Sequence, residues 1–316
     1  VVEKLIAIEK QDWDSQEISW NFKQNELVAS FDGTSTLKYT VEELQKTYRE
    51  RIAETKMLEE QNNENFIRLY GLEGELSPEH PLSQVTLCCN PHYFLAKATE
   101  KTDDELWKMQ RCELMKDLIS YAVGCMFGRY SLEKEGVILG YKQGEGLEDY
   151  QNILGKEGSY LPDDDNIIPV LDDDYFNDDI TLRFKEFLKQ AFGTEHYAEN
   201  LRYVEECLNL KHKSDYSIRN YFTAEFYGDH LKRYKKRPIY WMFQSPDNNF
   251  RALVYMHRYK GGQIIRIRKN YLLSFKNKLD LRLSQLYREL CGKDQDNQVE
   301  NVKKQKIPRK GGVVRE

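Results

Sequence analysis

Residues 226–259, FYGDHLKRYKKRPIYWMFQSPDNNFRALVYMHRY, carry the clearest structural pattern in the chain. They begin as the end of a basic helix and continue into PIYWMF, whose residues favour strands. SPDNN has turn chemistry, and FRALVYMHRY has the composition of an antiparallel partner strand. The stretch therefore predicts a helix followed by a β-hairpin. The apolar side chains expected in the core are Ile239, Trp241, Phe243, Leu253 and Tyr255.

A second amphipathic segment follows the Gly261-Gly262 break. Residues 263–290, QIIRIRKNYLLSFKNKLDLRLSQLYREL, have apolar side chains at helical spacing and basic side chains mostly off that stripe. The expected stripe consists of Ile264, Ile267, Tyr271, Phe275, Leu279, Leu283 and Leu286.

The rest of the chain is predominantly helical by pattern. An opening helix is followed by Thr40, which we expect to N-cap a helix that reaches about Tyr70, with Glu43 completing a capping box. At about 30 residues this helix could act as a spacer of about 45 Å, or form one side of a helical bundle. Short strands are expected at Val85–Cys89 and at GVIL, residues 136–139. Further helices are expected at about Asp104–Met126, the central core helix, at Ile180–Phe192 and at His196–Leu208.

These patterns predict an α+β fold with three parts. Residues 1–76 form a helical hinge or spacer, and residues 77–260 form a mixed α/β domain like a target-recognition domain. Residues 261–316 form a C-terminal amphipathic helix and a basic tail. The first residues resemble the middle of a helix and include no initiator Met, which suggests a piece of a longer protein.

Composition excludes several classes of protein. The chain is 40% hydrophobic and has no apolar run near 18 residues, so we expect a real core and no membrane span. The six cysteines lack C-x2-C and C-x4-C spacing, which favours reduced thiols in a cytoplasmic protein over a metal site.

The net charge of −5 hides a segregation of charge. Fourteen Lys or Arg and three Asp lie between Gly228 and Arg282, and the tail from Lys303 to Arg315 is basic again. Eight Asp lie between Asp163 and Asp179. We expect these to cap helices and line turns around an inward-packed IIPVL segment, because neither a nuclease-type D/E-x-K nor an EF-hand Gly and Glu accompanies them. No metal site is predicted.

Asn90-Pro91-His92-Tyr93 differs by one residue from Asn-Pro-Pro-Tyr, which marks the active site of DNA methyltransferases that modify an exocyclic amine. Such an enzyme also needs a Gly-rich turn for its methyl donor, and Gly140, Gly144 and Gly146 have the wrong spacing for one. We therefore expect an Asn-Pro turn with no catalytic residue and no donor binding. Asn90→Ala should then affect folding only slightly.

Five blocks carry a family resemblance: residues 5–22, 59–82, 118–139, 163–180 and 234–259. In this order they resemble the C-terminal part of the PglX family, the adenine-specific DNA methyltransferases of bacterial BREX phage-defence systems. The resemblance reaches about residue 285, and the tail after Cys291 does not match well. It implies that the donor glycines, the true Asn-Pro-Pro-Tyr and S-adenosylmethionine belong to an upstream methyltransferase domain in cis, so this chain holds no cofactor.

The resemblance implies a non-catalytic hinge and target-recognition part that contacts double-stranded DNA. The alternatives are a protein-interaction scaffold that contacts other BREX proteins, and a self-contained enzyme. The residues predicted to contact DNA are Lys232, Arg233, Lys235, Lys236, Arg237, Arg258, Arg266, Arg268 and Lys269.

Overall fold

The computed structural model describes residues 1–155 and 158–305, with side chains described as far as residue 290. The chain divides into two units, Val1–Gly261 and Gly262–Glu316. The domain boundary expected between residues 76 and 77 stays a prediction, and helices from both sides of it contribute to one hydrophobic core.

The first unit combines helices with one small sheet, so the predicted α+β class is confirmed. Its helices are α1 Val2–Asp14, α2 Glu26–Ser30, α3 Leu37–Tyr70, α4 Pro91–Phe94, α5 Asp103–Met126, α6 Leu147–Leu154, α7 Ile180–Phe192, α8 Tyr197–Leu208, α9 Ile218–Ala224 and α10 Phe226–Arg233. Its strands are β1 Ile168–Pro169, β2 Tyr240–Gln244 and β3 Arg251–Tyr255.

Helix α5 is the central core helix, as predicted. Thr102 and Glu105 form a capping box at its start, and its second half is buried on nearly all sides against α2, α4, α7, α8 and α10. Gly124 lets the ring of Tyr130 approach the helix. A Cβ atom on Gly124 would lie 2.3 Å from that ring, so no larger residue fits without movement.

Helix α3 begins one turn earlier than expected. The hydroxyl of Thr36, not that of Thr40, caps it by accepting a hydrogen bond from the N–H of Tyr39. Leu37 and Val41 are fully buried, so tertiary packing extends the helix towards its N-terminus. Its first half belongs to the core, whereas Phe66 and Leu69 near its end are exposed.

The predicted hairpin is present as β2 and β3, and the sheet has the order β1-β3-β2 with all neighbours antiparallel. Sequence reasoning missed β1, a two-residue strand from the IIPVL segment that pairs with β3 through Ile168 and Leu253. As expected, the apolar side chains of this segment, Ile167, Ile168, Val170 and Leu171, are all buried.

The prediction of which side chains of β2 face the core was wrong. Tyr240 is fully buried, opposite Tyr255, whereas Trp241 is 49% exposed and Phe243 is half-buried. The central strand β3 is buried on both faces, including Leu253 and Tyr255 as predicted, but the edge strand β2 has only one buried face. Tyr240 and Trp241 are adjacent aromatic residues and point to opposite faces of the strand. The sequence therefore offers an aromatic residue to the core whichever face is buried.

Helix α10 covers the outer edge of β2. The N–H of Tyr240 donates to His230 Nε2 at 3.3 Å, and the N–H of Met242 donates to the Tyr227 hydroxyl at 3.5 Å. Two side chains of one helix thus occupy backbone donors that an edge strand otherwise leaves to solvent.

Two predicted strands are absent from the described residues. Residues 85–87 form no ladder, because the N–H of Leu87 bonds back to Val85 O at 3.0 Å, and a turn follows at Cys88 and Cys89. GVIL forms a loop held by two bonds to the residues after α5, from Ile138 N to Arg129 O and from Leu139 N to Gly128 O. The predicted α7 has the expected bounds, and α8 begins at Tyr197 rather than at His196.

The second unit is helical, as its pattern predicted. α11 (Gln263–Arg266), a π-helical segment (Ile267–Leu272) and α12 (Leu273–Gln305) follow one another directly. Of the expected stripe, Ile267, Tyr271 and Phe275 are buried. The other members are exposed, namely Ile264, Leu279, Leu283 and Leu286.

Most of the basic tail, from residue 306, lies outside the described residues, as do the side chains from residue 291. In the part of the chain that is described, none of the helices combines the length and apolar character needed to cross a membrane.

Candidate nucleic-acid interface

A group of exposed cations lies at the turn after α10. The N–H of Lys235 donates to Lys232 O at 3.1 Å and that of Lys236 donates to Leu231 O at 2.7 Å. Lys235 and Lys236 have φ of 49° and 63°, the left-handed region that costs a non-glycine residue about 1 kcal/mol. The turn therefore directs the chain sharply from α10 into β2.

Four side chains at this turn are exposed, and we call them the basic turn: Lys232, Lys235, Lys236 and Arg237. Lys232 Nζ lies 3.3 Å from Asp229 but its side chain is 82% exposed, so solvent screens the pair. In the described part of the chain, none of the other three forms an ion pair within 4.0 Å. Their charges are available to a polyanion.

Arg233 was predicted to contact DNA, but the structure places it inside. Its Nη2 lies 2.5 Å from Asp117 and its Nε lies 3.8 Å from Glu17, with only 16% of the side chain exposed. Burial lowers the pKa of Arg233, but Asp117 and Glu17 raise it more. Arg233 therefore neutralises the carboxylates of Asp117 and Glu17 within the protein and is not available to a ligand.

Arg258 is also internal, at 3% exposed. Its Nη1 donates to Asp163 O at 2.7 Å and to Phe127 O at 3.2 Å, and its Nη2 donates to Asp164 O at 3.4 Å. Burial lowers its pKa. This guanidinium joins the end of α5 to the acidic stretch.

The remaining predicted residues belong to the second unit. Arg266 lies on α11, and Arg268 and Lys269 lie on the π-helical segment, all three exposed. The first unit by itself thus brings together four of the nine predicted residues, and the second unit three.

Sequence reasoning missed one exposed aromatic beside this region. Trp241 follows the basic turn by four residues and presents about half of its surface to solvent. The only signal was its position on an edge strand beside another aromatic residue.

The Asn90–Tyr93 segment is a helix start. Asn90 is fully buried and caps α4, its Oδ1 accepting from the N–H of His92 at 3.0 Å. Its Nδ2 donates to Leu82 O and Val85 O, both at 2.8 Å. The predicted Asn-Pro turn is present, although no strand precedes it. Because Asn90 is fully buried and its carboxamide is bonded to the backbone, its oxygen is not accessible to an amine of a ligand.

The acidic stretch behaves as predicted at its two buried positions. Asp179 caps α7 by accepting from the N–H of Thr181 at 2.9 Å and pairs with Arg219 at 3.1 Å. Asp163 accepts from the N–H of Ile167 at 3.0 Å, and burial together with Asp165 raises its pKa to about 7.

Asp163, Asp164 and Asp165 offer oxygen atoms within 4.8 Å of one another. Oδ1 of both Asp163 and Asp165 accepts the N–H of Ile167, so a turn accounts for their position. Exposed acidic groups of this kind are common without an ion.

Comparison with known proteins identifies relatives along almost the whole chain. The adenine-specific methyltransferase BrxX of Escherichia coli O9:H4 (strain HS) is 35% identical over 285 residues, which is 86% of this chain and 23% of BrxX. The adenine-specific methyltransferase PglX of Lacticaseibacillus casei (strain Zhang) is 35% identical over 316 residues, 96% of this chain and 24% of PglX. No family model matches the chain.

These relatives define the class, since the chain is homologous to one part of an adenine-specific methyltransferase. More particularly, its relatives are BrxX and PglX, so the resemblance to the PglX family inferred from the five sequence blocks is confirmed. The chain spans about a quarter of the length of the curated relatives that it matches.

Proposed function

We propose that this chain is the non-catalytic target-recognition and hinge part of an adenine-specific DNA methyltransferase that acts in BREX-type phage defence. The observation that carries the proposal is the match itself. Relatives named adenine-specific methyltransferases align with nearly all of this chain but devote only 23–24% of their own length to it. Catalysis and the binding of S-adenosylmethionine belong, in this proposal, to an upstream domain in cis.

The basic turn supplies the proposed phosphate contacts in the first unit. Lys235, Lys236 and Arg237 place three positive charges on consecutive residues. Lys235 and Lys236 adopt the left-handed backbone conformation, which is unfavourable for residues other than glycine. Such cations contact phosphates and so orient the protein on DNA, whereas sequence is read by other side chains at base edges. In the second unit, Arg266, Arg268 and Lys269 are proposed as further phosphate contacts. The buried Arg233 and Arg258 have no part in the proposed interface.

Salt dependence of duplex binding tests this proposal. We expect the triple variant Lys232→Gln, Lys235→Gln, Lys236→Gln to bind duplexes more weakly. Its slope of log affinity against log salt should be smaller by about 0.9 for each phosphate that the protein no longer neutralises. A variant with three other exposed lysines changed, Lys10→Gln, Lys38→Gln, Lys211→Gln, has the same net charge and should keep the original slope.

Preference among DNA sequences should stay nearly unchanged in the first variant, because phosphate contacts carry little sequence information. Equal slopes in the two triple variants would remove the basic turn from the DNA interface. That result would favour the protein-interaction alternative, in which the turn meets an acidic surface of another defence protein.

The proposed division of labour has its own test. Calorimetric titration of S-adenosylmethionine into this chain should give no heat of binding. Binding with a micromolar Kd would place a donor site here and contradict the assignment of catalysis to an upstream domain.

A further inference from the structure

A cavity of about 400 Å³ lies within the first unit. Its walls come from the end of α1 and the loop after it, from α2, α3 and α5, from residues 88–95, and from α10 with the turn that follows. Its volume falls in the range of about 300–1,000 Å³ that is typical of small-ligand sites.

Aromatic rings form part of the wall. Phe22 and Tyr48 are buried there, whereas Trp13 and Phe94 are 48% and 53% exposed. The faces of such rings attract ammonium and guanidinium groups, most strongly where water is partly excluded.

Carboxylates outnumber cations in the lining. The carboxylates are Glu17, Glu26, Glu113, Asp117 and Asp229, and the cations are Lys116, Lys232, Arg233 and Lys235. Arg233 is occupied by Asp117 and Glu17. Lys116 lies 2.8 Å from Glu113 and 3.6 Å from Asp229.

Glu26 forms no close ion pair in the described part of the chain. In the described part of the chain no Lys, Arg or His lies within 4.0 Å of its carboxylate, which accepts a hydrogen bond from the Tyr48 hydroxyl at 2.5 Å. Burial raises the pKa of Glu26 and also that of Asp117. Hydrogen bonds from Tyr48 and Ser15 and the charge of Arg51 lower the pKa of Glu26, but burial outweighs them. A cation that entered the cavity would therefore stabilise the charged form further.

We propose that this cavity binds an organic cation, an ammonium or guanidinium group, with Glu26 as its counter-ion and the rings of Trp13 and Phe94 beside it. The group can be supplied by a free amine or by a Lys or Arg side chain of a polypeptide. Lys232 and Lys235 of the basic turn also line this cavity, but the existence of the cation site does not depend on DNA binding.

Calorimetric titration with agmatine, which carries a guanidinium and an ammonium, tests the site on the full chain. We expect Glu26→Gln to raise the Kd at least fivefold, because the glutamine keeps the acceptor for Tyr48 but removes the charge. Glu73→Gln removes an equal charge from an exposed turn and should bind like the wild type. Absence of binding to the wild type, or equal affinity in Glu26→Gln, would overturn the proposal.

A second titration identifies the source of the cation. A capped tripeptide Gly-Arg-Gly that binds as well as agmatine, with its citrulline counterpart inactive, would assign the site to a polypeptide side chain. Binding of agmatine alone would assign it to a free amine. If the peptide and agmatine both fail to bind, no cation site exists.

Phe94→Leu provides a variant that should fold, because Phe94 is about half exposed. It keeps an apolar wall but removes the ring, so we expect agmatine to bind several-fold more weakly. An unchanged affinity in this variant would contradict the proposed ring contact even if Glu26→Gln did not fold.

Discussion

His230 on α10 accepts a hydrogen bond at Nε2 from the backbone N–H of Tyr240 on β2, at 3.3 Å. The acceptor nitrogen must be unprotonated, so the ring is neutral with its proton on Nδ1. Nδ1 is buried without a hydrogen-bond partner, and His230 as a whole is 2% exposed. Burial lowers the pKa of His230 to about 4.

This pairing predicts that acid destabilises the fold. The folded-state pKa lies below the unfolded value of 6.5, so the unfolded chain binds more protons between these pH values. The contribution of neutral His230 to the free energy of unfolding is complete above about pH 6.5 and is lost as pH falls towards about 4. The difference corresponds to about 3 kcal/mol at most. Urea unfolding at several pH values between 7.5 and 4.5 measures it.

His230→Gln isolates this effect. Asp163 has a pKa raised to about 7, so its contribution to the free energy of unfolding is lost as pH rises from about 4 to 7. This effect is opposite to that of His230 and is present in both the wild type and His230→Gln. The difference in unfolding free energy between wild type and His230→Gln should therefore shrink as pH falls. A constant difference across this range would show that His230 is not held neutral.

Adjacent aromatics on β2 should differ sharply in their effect on stability. Tyr240 is fully buried against Phe127 and Tyr255, with ring centroids 5.2 and 5.3 Å away, so Tyr240→Ala should cost about 3–5 kcal/mol. Trp241→Ala should cost less than about 1 kcal/mol. The urea midpoints of the two variants show which of the two side chains faces the core. The reverse order of costs would restore the alternation expected from sequence.

Asn90 should matter for stability although it performs no chemistry. Asn90→Ala removes the cap of α4 and the two hydrogen bonds from the Asn90 amide to Leu82 O and Val85 O, each of which keeps one backbone donor. We expect a loss of about 2–4 kcal/mol, more than the slight effect that the sequence suggested. Asn177→Ala, at an exposed position, should change the unfolding free energy by less than about 0.5 kcal/mol. Similar costs for both variants would deny Asn90 its structural role.

The raised pKa of Asp163 predicts that Asp163→Asn stabilises the protein at pH 8. There the wild type holds a buried charge, whereas near pH 5 the carboxyl is protonated and the variant should gain less. The asparagine retains an oxygen acceptor for the N–H of Ile167. Asp172→Asn, at an exposed position, serves as the control.

Thermal unfolding with Mg²⁺ or Ca²⁺ complements that variant. We expect no change in Tm, because turn hydrogen bonds account for the positions of Asp163 and Asp165. A rise of several degrees that Asp163→Asn abolishes would instead identify a metal site.

Local patterns predicted much of the fold. The bounds of α7 follow from an Asp cap and a 3.6-residue periodicity, both local properties of the sequence. The hairpin follows from two β-favouring runs around a turn. β1 could not be found this way, because two residues have no periodicity and pair with a strand 85 positions later, as Ile168 does with Leu253.

The candidate site was less predictable. Arg233 and Lys232 are neighbours of like charge, yet one turns inward to Asp117, which lies 116 positions earlier, and the other faces solvent. Arg258 likewise finds backbone carbonyls on distant segments. The density of positive charge in the sequence located the basic turn. Which of its cations are buried and which are exposed depends on where their acceptors lie in the folded structure.

The coverage of β2 by Tyr227 and His230 has a consequence for association. An edge strand with its donors free can recruit a strand from another polypeptide, by β-augmentation in a complex or by runaway stacking in an aggregate. Here the N–H groups of Tyr240 and Met242 are already bonded to α10 and cannot pair with another strand. Protonation of His230, whose pKa is lowered to about 4, would remove its bond to the N–H of Tyr240, and a solution at about pH 4 would then leave this edge of the strand open to pairing with another chain.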